Sequence, residues 1–361
     1  MSCDIANYAD LCVPVAKATV HMPKRINHLY EQMCTPEALY AAYLCGRRGK
    51  RTSLSVCNFD QNAGAELHRL LQELQNGSYA PKPYRRFWVY EPKPRIIAAP
   101  AFRDVVVQHA IYALIYPIFD KTFIHDSYGC RKEKGTHRAA DQAQRYLRQC
   151  DPDDHLLQLD IKKFYYSIDR SIFMQLMRDK IKDERMLKLL EMFVNDEGDK
   201  GVPIGNLLSQ LFALIYLNKL DHFIKRELKV KRYVRYVDDF VIFGLDKNEA
   251  LTLRDTIAAW LRENLKLELS RWTIQPVKRG LNFVGFRTWQ QTRIVRRHSL
   301  HNFGRALRAG RLDSLISIMG NAKRSASYSH FRQRILSEAP GLLPQLPAGV
   351  RHELLQIHKN C

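Results

Sequence analysis

The sequence predicts an α+β fold in which helices flank a small number of short strands. Apolar residues recur at helical spacing through residues 1–85, as at Leu67, Leu70 and Leu74. Short runs of β-branched and aromatic residues, separated by turn residues, occupy the middle of the chain. The last part, residues 288–361, returns to a helical and strongly basic pattern. Helices combined with short hairpin strands in this way are typical of the α+β class.

A proline-punctuated segment, residues 81–100, is predicted to form an extended hairpin. Its two strands are Phe87–Tyr90 and Arg95–Ile97, and Lys93 and Arg95 lie near the tip. Two cations on a strand edge can grip phosphate oxygens through charge-assisted hydrogen bonds. The alternative is an ordinary hairpin with solvated charges.

Four segments between or after the predicted strands have the apolar spacing of helices. They are residues 104–119, residues 136–148 with a basic face, the helix that follows the glycine- and proline-marked loop 201–210, and residues 248–265.

Leu156–Ile161 is predicted to be a short buried strand that exposes one carboxylate, Asp160, at its end. An aspartate at this position often caps the helix that follows. A carboxylate presented at a strand end can also bind a metal ion, so both interpretations stay open.

Two adjacent aspartates, Asp238 and Asp239, stand between the strand-forming runs Tyr233–Val237 and Phe240–Phe243. The pair is predicted to form the turn of a hairpin. Two carboxylates about 4 Å apart repel each other by roughly 4 kcal/mol at an effective dielectric constant near 20. Such a pair is stable when it faces water or when a divalent cation binds it.

One carboxylate at a strand end and two at a hairpin turn can together support catalysis. If strand and hairpin share a sheet, Asp160 and Asp238 converge at one edge. Carboxylate oxygens suit Mg²⁺, which also takes water and substrate phosphate as ligands. Two such ions about 4 Å apart stabilise the attacking and leaving oxygens of an in-line displacement. The pattern therefore predicts phosphoryl or nucleotidyl transfer.

The charge of the chain favours a polyanionic partner. Lys and Arg outnumber Asp and Glu by 57 to 37, which gives a formal net charge of +20 spread over the sequence. The basic run Arg47–Arg51 is either a solvated loop or a phosphate contact.

The sequence has neither the apolar segment of a membrane-spanning protein nor the signal peptide of an exported one. No apolar run reaches about 18 residues, and the polar, acidic N-terminus does not resemble a signal peptide. The eight cysteines have no metal-binding spacing, so we expect reduced thiols and a cytoplasmic location without membrane contact.

From about residue 25 to residue 290, the order of these blocks resembles that of the reverse transcriptases. The Tyr-Val-Asp-Asp box is Tyr236–Asp239, and the aspartate of the first strand is Asp160. Lys93–Ile96 resembles the fingers motif that grips the incoming triphosphate, and Ser127–Arg131 resembles the next fingers motif. Gly280–Phe286 resembles the primer grip.

The resemblance implies a role for individual residues. Asp160, Asp238 and Asp239 would be the catalytic carboxylates, and with the backbone carbonyl of Ile161 they would bind two Mg²⁺ ions. Tyr165 would be a steric gate against ribonucleotides, although a core aromatic residue is the alternative. The residues implied in nucleotide binding are Lys93, Arg95, Tyr165, Ile204 and Gly205, and those implied in the primer grip are Phe283, Val284, Gly285 and Phe286.

A narrower resemblance is to the reverse transcriptases of diversity-generating retroelements. Most of the family has Gln-Gly-x-x-x-Ser-Pro in the loop before the long helix, and this chain has Ile204–Gln210 there. Ile for Gln and Gln for Pro mark that group. Loss of an amide beside the incoming nucleotide implies weaker discrimination between bases, because fewer directional contacts remain. The resemblance implies copying errors chiefly at template adenines.

The resemblance also implies a right-hand architecture and a set of partners. The N-terminal segment and fingers would span 1–150, and the basic helical thumb would span 288–361. The palm, an antiparallel sheet backed by helices, would span 151–287. The partners would be a template RNA, the cDNA or its primer, deoxynucleoside triphosphates and a small basic accessory protein that assembles as a ring.

Two other functions stay open on sequence grounds. One is a phage-defence or retron-type reverse transcriptase with the same chemistry. The other is a polymerase-like RNA-binding scaffold without activity, which the three intact carboxylates disfavour.

The chain also departs from the family at Leu269–Thr273, where many relatives carry a lysine proposed as a general acid. Arg271 and Lys278 are the candidates to replace it.

Overall fold

The structure is a computed structural model that describes residues 25–90, 94–195 and 198–356. Within these residues the chain forms fifteen α-helices and nine strands. The helices are α1 (Leu29–Met33), α2 (Pro36–Arg47), α3 (Leu54–Asp60), α4 (Ala63–Asn76), α5 (Phe102–Asp120), α6 (Thr136–Leu147), α7 (Phe164–Ser167), α8 (Arg170–Arg178), α9 (Glu184–Val194), α10 (Leu207–His222), α11 (Lys247–Leu265), α12 (Arg297–Arg308), α13 (Leu312–Ala322), α14 (Ser327–Glu338) and α15 (Ala348–Leu355). The strands are β1 (Arg85–Val89), β2 (Arg95–Ala99), β3 (His155–Ile161), β4 (Tyr233–Tyr236), β5 (Asp239–Leu245), β6 (Leu269–Pro276), β7 (Leu281–Phe283), β8 (Phe286–Thr288) and β9 (Arg293–Val295).

The helices predicted near the N-terminus are confirmed from residue 25 onward, and residues 1–24 lie outside the described residues. Helix α4 buries Leu70 and Leu74 one turn apart, as its apolar spacing predicts. The helix ends at Gly77, whose φ of 72° is left-handed and whose N–H donates to the carbonyl of Leu74.

Helix α5 is buried along most of its length and packs against α2 and α10. It carries a buried carboxylate, Asp104, at its first turn. The hydroxyl of Tyr79 donates to Asp104 at 2.7 Å, and the backbone N–H of Lys82 donates to its second oxygen at 2.9 Å. These bonds satisfy the carboxyl group, and its burial raises its pKa. The segment before the β1–β2 hairpin is thereby tied to α5.

The predicted hairpin within residues 81–100 is confirmed as the antiparallel pair β1–β2. Phe87 pairs with Ile97, and Trp88 pairs with Ile96. Arg95 is the first residue of β2 and is exposed. Lys93 lies outside the described residues, so its position near the tip of the hairpin stays a prediction.

Four strands form the largest sheet, in the order β4–β5–β3–β6. In the antiparallel pair β4–β5, Tyr236 is directly opposite Asp239. The turn is therefore Val237–Asp238, and the prediction that the Asp-Asp pair forms the turn was wrong. Asp239 begins strand β5, because the hydrophobic run that follows it sets the register and buries Phe240 and Val241.

A second, three-stranded antiparallel sheet has the order β7–β8–β9. Phe283 pairs with Phe286, which leaves the two-residue turn Val284–Gly285. Both turn residues have positive φ, 42° and 89°, as a type I′ turn requires. This tight hairpin lies within Gly280–Phe286, the segment that resembles the primer grip.

The chain folds into two compact units. The first comprises the described residues of Met1–Gly135, Leu159–Lys231 and Thr252–Trp272. The second comprises Thr136–Gln158, Arg232–Leu251 and the described residues of Thr273–Cys361. The domain limits predicted from sequence, 1–150, 151–287 and 288–361, stay predictions, and the last of these limits falls inside β8.

The end of the chain is helical, as predicted, and has its own core within the second unit. The rings of Phe303 on α12 and Phe331 on α14 stack with centroids 4.0 Å apart, and both side chains are fully buried. Leu315 and Met319 on α13 belong to the same cluster. Among the described residues, no helix has the length and apolar character needed to cross a membrane.

Candidate active site

The turn between β4 and β5 holds a residue in a conformation that its side chain disfavours. Val237 has φ of 57°, in the left-handed region where β-branched residues are rare. The side chain of Arg235, which is fully buried, donates to the carbonyl oxygen of Val237 at 2.9 Å. Strain of this kind persists where surrounding contacts enforce it, and it is common at functional sites. The hydrogen bond from Arg235 holds this turn in one conformation, and the position of Asp238, the other turn residue, is held with it.

Asp239 is bound by a side chain that sequence reasoning missed. The amide nitrogen of Gln158 donates to Asp239 Oδ1 at 2.9 Å and to the backbone carbonyl of Asn282 at 3.1 Å. Asp239 also interacts electrostatically with Arg296: desolvation lowers the pKa of Arg296, and the negative charge of Asp239 acts in the opposite direction. The one sequence signal for Gln158 is that it interrupts an apolar strand two residues before Asp160, on the same face.

Asp160 is half-buried at the end of β3. The hydroxyl of Ser270 contacts its Oδ2 and its backbone carbonyl oxygen. The helix that follows has Lys163 as its N-cap, so Asp160 is not the capping residue that one interpretation of the sequence predicted. Ile161 is 2% exposed, with its side chain in the core.

Three of the predicted nucleotide-binding residues, Arg95, Ile204 and Gly205, lie on two connected segments of the first unit. The N–H of Ala98 in β2, the strand that begins with Arg95, donates to the carbonyl of Ile204 at 2.7 Å. Gly205 has φ of 114°, and a Cβ there would lie 2.6 Å from the side chain of Ile97. The loop before α10 therefore lies directly against β2 because position 205 has no side chain.

Tyr165 is tied to the same loop by backbone contacts. The N–H of Val202 donates to the carbonyl of Tyr165 at 2.9 Å. Gly201 allows this approach, since a Cβ at that position would lie 2.9 Å from Cα of Tyr166. The sequence marked residues 201–210 as a loop but gave no signal that Gly201 contacts the turn after β3. The ring of Tyr165 is half-buried, so it is not enclosed in the core.

In the predicted primer grip, the aromatic residues and the turn residues have different environments. Phe283 is 1% exposed and Phe286 is fully buried. Val284 and Gly285 are partly exposed, and the carbonyl of Gly285 accepts from the N–H of Arg296 at 3.1 Å. Only the turn is therefore placed to contact a ligand, and the two phenylalanines hold the hairpin on the core.

Several predicted cationic contacts have protein partners. Arg47 of the basic run pairs with Asp60 at 2.7 Å, so this member of the run has a structural role. Lys278 pairs with Asp153 at 2.6 Å, whereas Arg271 is exposed on β6. The replacement for the missing general-acid lysine stays a prediction.

Residues 81–288 match the family model described as reverse transcriptase (RNA-dependent DNA polymerase). This region is more than half of the chain. The chain therefore belongs to the reverse transcriptase family.

Two relatives show which branch of the family is similar. The group II intron-encoded protein LtrA of Lactococcus lactis subsp. cremoris is 28% identical over 218 residues, which cover 56% of this chain and 36% of LtrA. Protein YkfC of Escherichia coli (strain K12) is 29% identical over 271 residues, which cover 62% of this chain and 71% of YkfC. The chain spans little more than a third of the length of LtrA.

A solved structure shows a similar fold. The insertion loop deletion mutant of the RNA-dependent RNA polymerase of a human picobirnavirus has a TM-score of 0.51 and 12% identity, over 75% of this chain and 61% of that one. At this identity the likeness concerns the fold alone. It confirms the predicted α+β polymerase fold.

The chemistry of the predicted donors suits the metal ions that the family implies. Asp160, Asp238 and Asp239 offer only oxygen ligands, which Mg²⁺ prefers. Within the described part of the chain, no three His, Cys, Asp or Glu side chains form a group that could hold a metal ion. Water and substrate phosphates supply several ligands of Mg²⁺ in nucleotide-handling sites, so one or two carboxylates from the protein suffice for such an ion.

Proposed function

We propose that this protein is an RNA-directed DNA polymerase that makes error-prone cDNA for a diversity-generating retroelement. The observation that carries the polymerase activity is the Tyr236–Asp239 box, with Asp160 upstream, inside the region that matches the reverse transcriptase family. Two hydrogen bonds support this activity, because catalytic carboxylates need fixed positions. Arg235 bonds to the turn Val237–Asp238, and Gln158 bonds to Asp239.

In this proposal Asp160, Asp238 and Asp239, with the carbonyl of Ile161, hold two Mg²⁺ ions. When bound, these ions stabilise the charge that develops on the attacking and leaving oxygens. Gln158 holds Asp239, and Arg235 holds the turn that carries Asp238. The primer terminus contacts the Val284–Gly285 turn.

The incoming deoxynucleotide contacts the segments joined by the Ala98–Ile204 hydrogen bond. Arg95 supplies an exposed cation for its phosphates, and Lys93 is proposed to act with it. Tyr165 limits the space at the sugar, and Ile204 offers an aliphatic surface without a hydrogen-bond donor. Gly205 lets the nucleotide and the backbone approach each other.

Ile204 and Gln210 support the narrower assignment to a diversity-generating retroelement. An aliphatic side chain at position 204 cannot hydrogen-bond to a base or sugar, so wrong base pairs are rejected less strongly.

The test of this assignment is replacement of Ile204 by glutamine. We expect Ile204→Gln to lower misincorporation opposite template adenine in a sequenced cDNA pool, and unchanged error rates would contradict the assignment. A nearby repeat that differs at adenines would support it, whereas a toxin-like neighbouring gene would favour the defence or retron alternative.

The proposed partners are a structured template RNA, a cDNA primer and a small basic ring-forming accessory protein, in the cytoplasm. The net charge of +20 supports a nucleic-acid partner. Helix α12 presents Arg297, Arg305 and Arg308 as exposed residues, and they are one candidate surface. RNA binding should weaken steeply with salt, because phosphate contacts release counterions. A flat salt dependence would argue against RNA.

Primer extension on an RNA template tests the activity itself. With Mg²⁺ and deoxynucleotides, the unaltered chain should extend a DNA primer, and Asp238→Ala should lower the rate by roughly 10³-fold, or about 4 kcal/mol of transition-state stabilisation. Asp255→Asn is the matched control, because this exposed aspartate on α11 pairs only locally with Arg254. Full activity in Asp238→Ala would refute the proposal.

A further inference from the structure

The side chain of one half-buried glutamine, Gln158, joins two segments of the second unit that are far apart in the sequence. Gln158 lies on β3, and its side-chain nitrogen contacts Asp239 at the start of β5 and the carbonyl of Asn282 in β7. Both acceptors are oxygens, one a carboxylate and one a carbonyl. An amide nitrogen carries two hydrogens, so a single side chain satisfies both. The orientation of the amide is fixed by its neighbours.

The acceptors differ in what they are expected to do. Asp239 is a proposed catalytic carboxylate, whereas Asn282 belongs to the hairpin whose turn, Val284–Gly285, is proposed to hold the primer. The carbonyl of Asn282 is the only part of that residue in this contact, and its side chain is exposed. The link therefore fixes the backbone of β7, not one particular side chain.

The other end of the same hairpin also leads back to Asp239. The carbonyl of Gly285 accepts from the N–H of Arg296, and the charges of Arg296 and Asp239 attract each other. The hairpin is thus connected to the carboxylate by the two hydrogen bonds of the Gln158 amide and by the charge of Arg296. A shift of the hairpin would change both.

We propose that Gln158 is a positioning residue that sets the primer-grip hairpin in register with Asp239. A displacement of about 1 Å at a reacting centre can cost on the order of 100-fold in rate, so a direct link between the two elements has catalytic value. The role rests on the proposed polymerase function. Gln158 does not contact substrate in this proposal; it acts through Asp239 and β7.

The test is Gln158→Met, which keeps the length of the side chain and removes both donors. We expect kcat for primer extension to fall roughly 10- to 100-fold, the range for loss of a hydrogen bond to a charged group. We expect KM for the deoxynucleotide to change by less than about twofold, since its proposed contacts lie on β2 and the loop before α10. Gln158→Asn, whose shorter side chain cannot reach both acceptors, should change kcat in the same direction.

A second readout does not depend on activity. Amide hydrogen exchange of Leu281–Phe283 should be faster in Gln158→Met than in the unaltered protein without metal or nucleic acid, because β7 loses its anchor. This measurement separates the two proposals: if Asp238→Ala kept full activity, the polymerase site would be refuted, and the exchange result would still test the link.

Gln290→Met is the matched control. The amide nitrogen of Gln290 likewise donates to two oxygens within the same unit, here the backbone carbonyls of Leu147 and Cys150. This variant loses the same kind of bonds away from Asp239, so its kcat should stay within about threefold of the unaltered protein. An equal loss of kcat in both variants, unaltered kcat in Gln158→Met, or unchanged exchange of the hairpin would overturn the proposal.

Discussion

The backbone N–H of Ala98 donates to the carbonyl oxygen of Ile204 at 2.7 Å, and so joins β2 to the loop before α10. The backbone of Ile204 is thereby fixed whatever its side chain is. A substitution at position 204 therefore changes the side chain at the proposed nucleotide site with little effect on the backbone of the loop. This makes Ile204→Gln a clean test of fidelity.

Gly205→Ala should destabilise this junction. At φ of 114° an alanine is strained, and its Cβ would lie 2.6 Å from the side chain of Ile97. We expect a loss of about 1–3 kcal/mol in the free energy of unfolding and a raised KM for deoxynucleotides. Urea denaturation and steady-state kinetics measure the two effects.

The control for that variant is Gly64→Ala in α4. A Cβ at Gly64 would have nothing within 4 Å, and the position is helical. Alanine there should stabilise the protein by about 0.5–1 kcal/mol. If both variants had the same effect on stability and KM, the close contact at Gly205 would not be what constrains the loop.

Tyr165→Ala should weaken the selection of deoxynucleotides. A smaller side chain at the proposed steric gate leaves room for a ribose 2′-hydroxyl, so the ratio of kcat/KM for dATP to that for ATP should fall by roughly 10- to 100-fold. Tyr166→Phe, at the exposed neighbouring position, is the control and should keep the ratio. Unchanged selectivity in Tyr165→Ala would show that this ring is only a packing residue.

Arg235→Met should disturb the turn that carries Asp238. The buried guanidinium donates to the carbonyl of Val237, and its loss leaves that oxygen without this partner while Val237 keeps its disfavoured φ. We expect a loss of about 1–3 kcal/mol in unfolding free energy, with a decrease in kcat. Arg271→Met, an exposed arginine on β6, should change neither. Equal stability of the two variants would contradict the role of Arg235.

Stability should rise with pH through the range in which His109 titrates. Burial, with a smaller effect from the charge of Lys50, lowers the pKa of His109 from 6.5 to about 4. The unfolded chain therefore binds the proton more tightly, and the contribution present above pH 6.5 is lost as the pH falls towards 4. The change is roughly 3 kcal/mol.

The measurement is the urea midpoint of the unaltered protein and of His109→Gln between pH 4 and pH 7. The variant should show a smaller dependence on pH, whereas His298→Gln, at an exposed position on α12, should behave like the unaltered protein. Parallel pH profiles for all three proteins would rule out His109 as the cause.

Much of the fold could be predicted because local patterns reflect local physics. The helical spacing of Leu70 and Leu74 and the turn residues of Gly280–Phe286 each determine one element. The register at Asp239 could not be predicted in this way, since the burial of the strand that follows sets it, and either aspartate satisfies the turn composition.

The sequence by itself determined the α+β class, the order of the polymerase motifs and the identity of the candidate carboxylates, because these depend on residue type and spacing. Only the tertiary structure decided which groups contact those carboxylates. Ser270 meets Asp160 and Gln158 meets Asp239 across 110 and 81 positions of the chain. Contacts between residues so far apart arise from strand pairing and packing, which spacing along the chain does not encode.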